Sequence, residues 1–494
     1  MGVIRRQGIK QSIAVFVGSA IGGLNNLYFF PDAFSSSQIG LLRFFQDTAI
    51  MLAPFLMLGT SGLATRFFPA FKDEARGHRG FLSLLLLWAG IGTSLFLLIA
   101  LLFGGPIRMQ YARQSPLVSQ YYYWGLPIII AYAFTALLTQ YTANFLRITV
   151  PALLAQLVKP AMTILALLYL WHHIGFDTVV HSVSLWYIAA LLLLIAYIRH
   201  LGQWHLTGFR PHVSRDQFRE MASYALYGLL ASTGSNLIIK LDTFMLASVR
   251  NLHDTGIYTI SAYIGSIIMI PTNALINISA PIISRAWHDH DTKEIETVYK
   301  KASLNLSLVG LLIILLITAS LGDLFDFMPN GDIYRVGVPV VYIILGSRLI
   351  DMVTSVNNEI IGYSKHYRVN FFALISAGLL NVALNLLLIP RLGIVGAAWA
   401  TAISVLLFNA FKLGFIYKRF GIHPFSRRQR RVAAIFAVTA VVLWLMPDTG
   451  RPLVNMALKS AVGIIVFVTL TVRWQASPDF TELLPEFLRK LLGS

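Results

Sequence analysis

Apolar stretches of about 20 residues, separated by short polar segments, follow one another along nearly the whole chain. A helix rises about 1.5 Å per residue, so about 20 apolar residues cross the hydrocarbon core of a bilayer. The pattern predicts fourteen spans, numbered here in chain order: 9–30, 38–64, 80–104, 118–142, 148–171, 179–201, 223–248, 255–284, 304–325, 336–361, 367–389, 393–419, 432–447 and 453–473. The stretches are too long and too continuously apolar for barrel strands. Span 13 is the shortest and is bounded by Pro447. Span 1 carries Gly22, Gly23, Asn25 and Asn26 in its core with no small-residue cleavage site after it. It therefore reads as a span and not as a cleavable signal peptide. The expected fold class is an all-α polytopic membrane protein.

Landmarks of the first six spans recur about 216 residues later. Gly40 matches Gly256, Pro54 matches Pro271, and Pro127 matches Pro339. Gly175 matches Gly393, and Gly202 matches Gly421. Five pairs in order at a nearly constant offset predict two homologous six-helix lobes, 1–202 and 203–421. Transmembrane helices 13 and 14 (422–474) and an amphipathic cytoplasmic tail (475–494) complete the chain. An even number of spans per lobe makes the repeats parallel, as in transporters that work by alternating access.

Composition agrees with this reading. Of the 494 residues, 56% are hydrophobic and 12% are charged, roughly half the charged share of a soluble domain. Mean hydropathy is +0.68. Cysteine is absent, which excludes disulfides, Cys metal sites and thiol nucleophiles. The net charge of +17 follows the topology. With the N-terminus in the cytoplasm, 27 basic residues fall in inner segments and 6 in outer ones. That asymmetry predicts an even number of spans with both termini cytoplasmic. The charge accordingly gives no support for a nucleic-acid partner.

Charges within the spans are costly and mark function. The basic ones are Arg43, Lys159, Lys240, Arg348, Lys412 and Lys459, and the acidic ones are Asp47, Asp242, Asp351 and Glu359. Arg43 and Asp47 share a helix face at i, i+4, as Arg348 and Asp351 do at i, i+3. Each pair fits a structural role as well as a substrate site. Lys240 and Asp242 stand two apart, so at least one needs a partner on another helix. Lys159 lies about 16 Å into span 5, too deep to snorkel. Lys412 and Lys459 lie about two turns from a helix end and within snorkelling reach. The cationic excess predicts a watery cavity for an anionic headgroup such as phosphate or pyrophosphate. The expected cavity cations are Arg43, Lys159, Lys240, Arg348 and Lys412. Asp47, Asp242, Asp351 and Glu359 would balance them or carry a coupling proton or cation.

Other candidates are weaker. His288-Asp289-His290-Asp291 has a metal-like composition but lies in a charged loop. His172-His173 has no obvious ligand set. Tyr121-Tyr122-Tyr123-Trp124 and Trp186-Tyr187 fit an interfacial aromatic belt, with sugar stacking as the alternative. No Walker A motif is present, and no metal or cofactor is expected. Pro54, Pro127, Pro160, Pro271 and Pro339 would bend their spans. The tail 478–492 has apolar residues at helical spacing. It fits a helix on the inner membrane surface or one packed on cytoplasmic loops.

Three segments carry a family resemblance. They are Gly40-Leu41-Leu42-Arg43 with Gly59 and Arg66-Phe67-Phe68-Pro69; Lys240-Leu241-Asp242-Thr243-Phe244-Met245-Leu246 with Gly256-Ile257-Tyr258 and Pro271; and Pro390-Arg391-Leu392-Gly393-Ile394-Val395-Gly396-Ala397-Ala398. The chain resembles bacterial polysaccharide-export flippases of the multidrug/oligosaccharidyl-lipid/polysaccharide superfamily. The resemblance implies two six-helix lobes around a cationic cavity. The implied substrate is an undecaprenyl-pyrophosphate-linked oligosaccharide, moved from the cytoplasmic to the periplasmic leaflet. Membrane lipids and glycan polymerases or ligases are the implied partners. In related lipid II flippases two extra C-terminal helices hold the lipid tail, a role that spans 13 and 14 would share. The alternative within the superfamily is a cation-coupled multidrug exporter. Span 1 has no acid for that role, whereas Asp242 in span 7 keeps it open. A membrane glycan polymerase or ligase would need a larger outer loop than the chain provides.

Overall fold

A computed structural model describes residues 17–145, 147–206 and 214–483. Among them the ordered elements are helices, and no strand occurs. Among the described residues nine helices are each long and apolar enough to cross a bilayer, and a bent pair, Val338–Val353 with Asn357–Tyr363, makes a tenth. One of the nine, Tyr367–Phe420, contains both span 11 and span 12. It is interrupted at Gly393, whose φ of 57° and ψ of −131° only glycine adopts readily. Helix also occupies the stretches expected for spans 7 and 13, Arg215–Val249 and Arg428–Trp444, and the described part of span 1. The basic residues Arg5, Arg6, Lys10 and Arg210 used in the charge count lie outside the described residues, as does 484–494 of the expected tail helix.

Local chemistry sets the helix ends. Ser35 and Gln38 form a reciprocal cap at the start of span 2, and Ser214 and Gln217 do the same for span 7. Span 2 breaks after Pro54, where Leu58 and Gly59 take positive φ, into Ser36–Leu56 and Thr60–Arg66. Pro271 follows a 3-10 turn, Ile267–Met269, and lies in the first turn of Ile270–His288. Pro339 behaves differently from expectation. It occupies the first turn of Val338–Val353, where its missing N–H costs nothing, so it starts the helix.

The chain divides into two compact units, Met1–Thr259 and Ile260–Ser494. This division by packing lies later than the repeat boundary after residue 202. Span 7 belongs to the first unit because it packs along span 2. Asn236 Nδ2 donates to the Ile50 carbonyl at 2.8 Å, and Gly59 lies against the Ala225 carbonyl.

In the second unit, spans 13 and 14 (Pro452–Arg473) pack on span 9 (Thr292–Phe327) through Leu304, Leu308, Leu315, Val432, Leu443 and Phe467. Polar clamps close both ends of this contact. At one end Lys459 meets Asp323 at 2.5 Å, and Asn455 Nδ2 donates to Asp323 at 2.9 Å. At the other, Lys301 meets Asp479 at 3.0 Å and Ser477 donates to Asn305 at 2.6 Å. The first turns of the tail, Pro478–Leu483, thus dock on the end of span 9. Lys459 is therefore paired where snorkelling was expected, and Asp323 joins the intramembrane acids that the sequence had marked.

Candidate substrate-binding site

Within the first unit, Asp47 is 2% exposed and stands between two cations. Arg43 Nε, one turn earlier on span 2, lies 3.1 Å from Oδ2, and Lys240 Nζ of span 7 lies 2.9 Å from Oδ1. Lys240 thus finds the partner on another helix that its spacing from Asp242 required. Asp242 instead accepts a hydrogen bond from Tyr258. The cluster of Arg43, Asp47 and Lys240 keeps a net charge of one positive unit. Its most exposed member is Arg43, at 33% of its side chain.

Arg43 borders a cavity of about 110 Å³ together with Lys159, Asn25, Asn26, Gln46 and Thr259. Among the described residues no carboxylate contributes to its lining. Lys159 reaches it from span 5 (Thr149–Leu170), with Nζ donating to Gln156 Oε1 at 2.7 Å. Among the described residues Lys159 has no ion pair. Its place is set by span 1. Asn25 Nδ2 donates to the Lys159 carbonyl at 2.9 Å, and Thr163 donates to Asn25 Oδ1 at 2.6 Å. Asn25 opens a π-helical turn, Asn25–Phe29, a local widening that recurs at functional sites. Gly22 lies against the Lys159 side chain, where a Cβ would come 3.3 Å from Cδ.

The remaining sequence-marked residues lie in the second unit. Arg348 pairs with Asp351 at 3.2 Å, and Asp351 also accepts from Asn409 at 2.7 Å. Thr354 donates to Asn409 Oδ1 at 2.9 Å. Lys412 is 2% exposed, so it is buried and does not snorkel. Its Nζ sits 3.7 Å from the Phe408 ring centre and donates to Asn358 at 2.9 Å. Glu359 keeps one buried oxygen without a hydrogen-bond partner. These groups surround the break in span 10 between Val353 and Asn357.

The cavity-lining amides Asn25, Asn26 and Gln46 were not among the expected site residues. For Asn25 and Asn26 the signal was present as adjacent amides in an apolar stretch, since buried amides need partners. The other weak candidates have local roles. Asp291 caps span 9 by accepting from the Lys293 and Glu294 amides. Tyr121 donates to Asp177 at 2.6 Å. His172 occupies the positive-φ turn that ends span 5.

A cationic cavity within an all-helical membrane fold directs comparison to transporters. A family model described as polysaccharide biosynthesis protein matches residues 33–287, just over half of the chain. The chain belongs to this family. It is a multi-pass membrane protein. The lipid II flippase MurJ, in an inward closed conformation, is similar with a TM-score of 0.73 at 15% identity, covering 94% of this chain and 98% of that one. An inward-facing multidrug resistance MATE family transporter of the MOP superfamily gives 0.63 at 14% identity, covering 84% and 98%. A MOP superfamily transporter from Pyrococcus furiosus, described by a reverse polarity of its binding pocket, gives 0.55 at 14% identity, covering 85% and 95%. At these identities the likeness concerns the fold. Comparison with curated protein sequences finds no match.

Proposed function

We propose that the chain is a flippase for an undecaprenyl-pyrophosphate-linked oligosaccharide, the repeat unit of an O-antigen, capsule or exopolysaccharide. It would move this substrate from the cytoplasmic to the periplasmic leaflet of a bacterial inner membrane by alternating access, with both termini cytoplasmic. The observation that carries the proposal is the cavity in which Arg43 and Lys159 meet with no carboxylate in the lining among the described residues. A pyrophosphate diester carries one negative charge on each phosphate. Arg43 offers a planar fork and Lys159 a compact ammonium, a combination suited to two adjacent phosphates. Asn25, Asn26 and Gln46 add amide donors for the remaining oxygens. The sugars stay in water and the polyprenyl chain in lipid, so only the headgroup needs a polar path.

Asp47 offsets one of the cluster's two positive charges when the site is empty and keeps Arg43 aimed at the cavity. In the second unit Arg348 is paired with Asp351. Lys412 lies sealed against Phe408 and is better suited to coupling or structure together with Glu359. Family membership supports a role in polysaccharide biosynthesis. The wall of the cavity suits an organic cation poorly, which disfavours a multidrug exporter.

Deletion of the gene followed by lipid analysis tests the reading. Accumulation of undecaprenyl-pyrophosphate oligosaccharide on the cytoplasmic side is expected. Normal surface glycan together with altered drug resistance would overturn it in favour of the multidrug exporter.

A further inference from the structure

The most basic point of the chain has no part in the cavity. Arg427, Arg428, Arg430 and Arg431 surround the start of the span 13 helix, Arg428–Trp444. No side chain caps that helix, so the positive end of its dipole adds to the four guanidinium charges. Two of the arginines are committed within the fold. Arg431 donates to the Trp474 carbonyl at 3.0 Å, and Arg428 acts electrostatically on Asp479. Arg427 and Arg430 are exposed and form no ion pair among the described residues.

Arg427 and Arg430 line an open depression of about 500 Å³ with Phe425, Ser426, Gln429 and Ala433. The Ser426 hydroxyl is buried there without a hydrogen-bond partner. Phe425 is 48% exposed beside it. The helix continues directly into the apolar run of span 13, which places the depression at the membrane boundary.

We propose that this depression binds the headgroup phosphate of an anionic membrane phospholipid. Arg427 and Arg430 pair with the phosphate, and Phe425 lies along the upper part of an acyl chain. A free phosphate would use the same cations, but it would leave the apolar wall of Phe425 and Ala433 unoccupied. Basic clusters beside a spanning helix attract anionic lipid by about 1 kcal/mol per residue, roughly fivefold each. The bound lipid would anchor spans 13 and 14, and this role is independent of what the protein transports.

Native mass spectrometry of the full chain in detergent, titrated with phosphatidylglycerol or phosphatidylcholine, tests the proposal. Phosphatidylglycerol is expected to be retained, and the double variant Arg427→Gln, Arg430→Gln should weaken retention by about tenfold or more. Arg427→Lys with Arg430→Lys should keep most of it. The control Lys72→Gln, Lys365→Gln removes the same charge from other loops and should retain lipid like the parent. Undiminished retention by the Arg→Gln pair overturns the site. Equal retention of phosphatidylcholine overturns the anionic preference. Displacement by inorganic phosphate at matched concentration overturns the lipid in favour of a free anion. Circular dichroism confirms that the compared variants are folded.

Discussion

Gly40 of span 2 and Gly256 of span 8, which the sequence repeat equates, are in backbone contact. A Cβ on Gly40 would stand 3.1 Å from the Gly256 nitrogen and would collide with the Leu252 carbonyl, and one on Gly256 would collide with the Ser36 carbonyl. Ser36 and His253 share a hydrogen bond beside this crossing. Small residues at such a crossing let membrane helices approach to backbone distance, where dispersion and polar contacts replace the missing hydrophobic drive. Gly40→Ala or Gly256→Ala should each destabilise the protein by about 1–3 kcal/mol through overpacking. The check is the melting temperature in detergent. Gly90→Ala, where nothing lies within 4 Å, should leave it unchanged.

Lys159→Met and Arg43→Met remove the two cavity cations while keeping side-chain length. Each should weaken the binding of a short-chain prenyl pyrophosphate by about 10- to 100-fold, the worth of one or two charge-assisted hydrogen bonds. Titration calorimetry reads this directly. Binding of the parent should also weaken as salt rises, because both partners are charged.

Asp47→Asn leaves Arg43 and Lys240 facing each other without their shared counter-charge. Breaking a fully buried pair costs about 3–5 kcal/mol. Arg43 is one-third exposed, so about 1–3 kcal/mol is expected here. A second change, Lys240→Met, should recover part of the loss, which a double-mutant cycle would show. The single variant should bind pyrophosphate more tightly than the parent, since the cavity gains one unit of positive charge.

Lys459→Met strands the Asp323 carboxylate against span 14 and should loosen spans 13 and 14 from span 9. Hydrogen exchange in 428–473 is the measurement, with faster exchange expected than in the parent. Replacing both partners, Lys459→Met with Asp323→Leu, should restore most of the protection, because an apolar pair of similar volume removes two desolvation penalties together.

The docked tail carries a pH dependence. Burial alone would push the Asp479 carboxyl up, but hydrogen bonds from Lys301 and Asn305 and the charges of Lys301 and Arg428 outweigh it and hold the group below the usual aspartate range. A depressed folded-state value stabilises docking fully above the unfolded value of about 3.9 and loses that contribution as pH falls through the folded one. The segment 474–483 should therefore stay protected from protease at neutral pH and become cleavable only under strong acidification. Asp479→Asn should expose it at neutral pH.

Much of the architecture was legible in the chain. Most of each expected span falls on helix where residues are described, with breaks inside spans 2 and 10, because an apolar run long enough to cross lipid must satisfy its own backbone hydrogen bonds. The break at Gly393 was readable from its place between spans 11 and 12. The site was legible by residue type and less so by partner. Arg43 and Asp47 pair as their one-turn spacing requires, whereas the link from Asp47 to Lys240 spans 193 positions and leaves no local signature. Asp323 escaped notice because it stands near the end of its span, where a charge is cheap unless a partner such as Lys459 is packed against it.

The sequence by itself determined the all-helical membrane fold class, the placement of the apolar helices, and most of the charges that lipid would not tolerate. These follow from local composition and from the cost of burying polar groups, and neither depends on neighbours. Only the tertiary structure decided how those charges are shared. It joined Arg43, Asp47 and Lys240 into one cluster, turned Lys159 into the wall of the same cavity through Asn25, sealed Lys412 beneath Phe408, and used Lys459 to fasten span 14. The physical reason is that an intramembrane charge is neutralised by whichever helix packs beside it, and helix packing is set by small residues such as Gly40 and Gly256, whose partners lie far away in the chain.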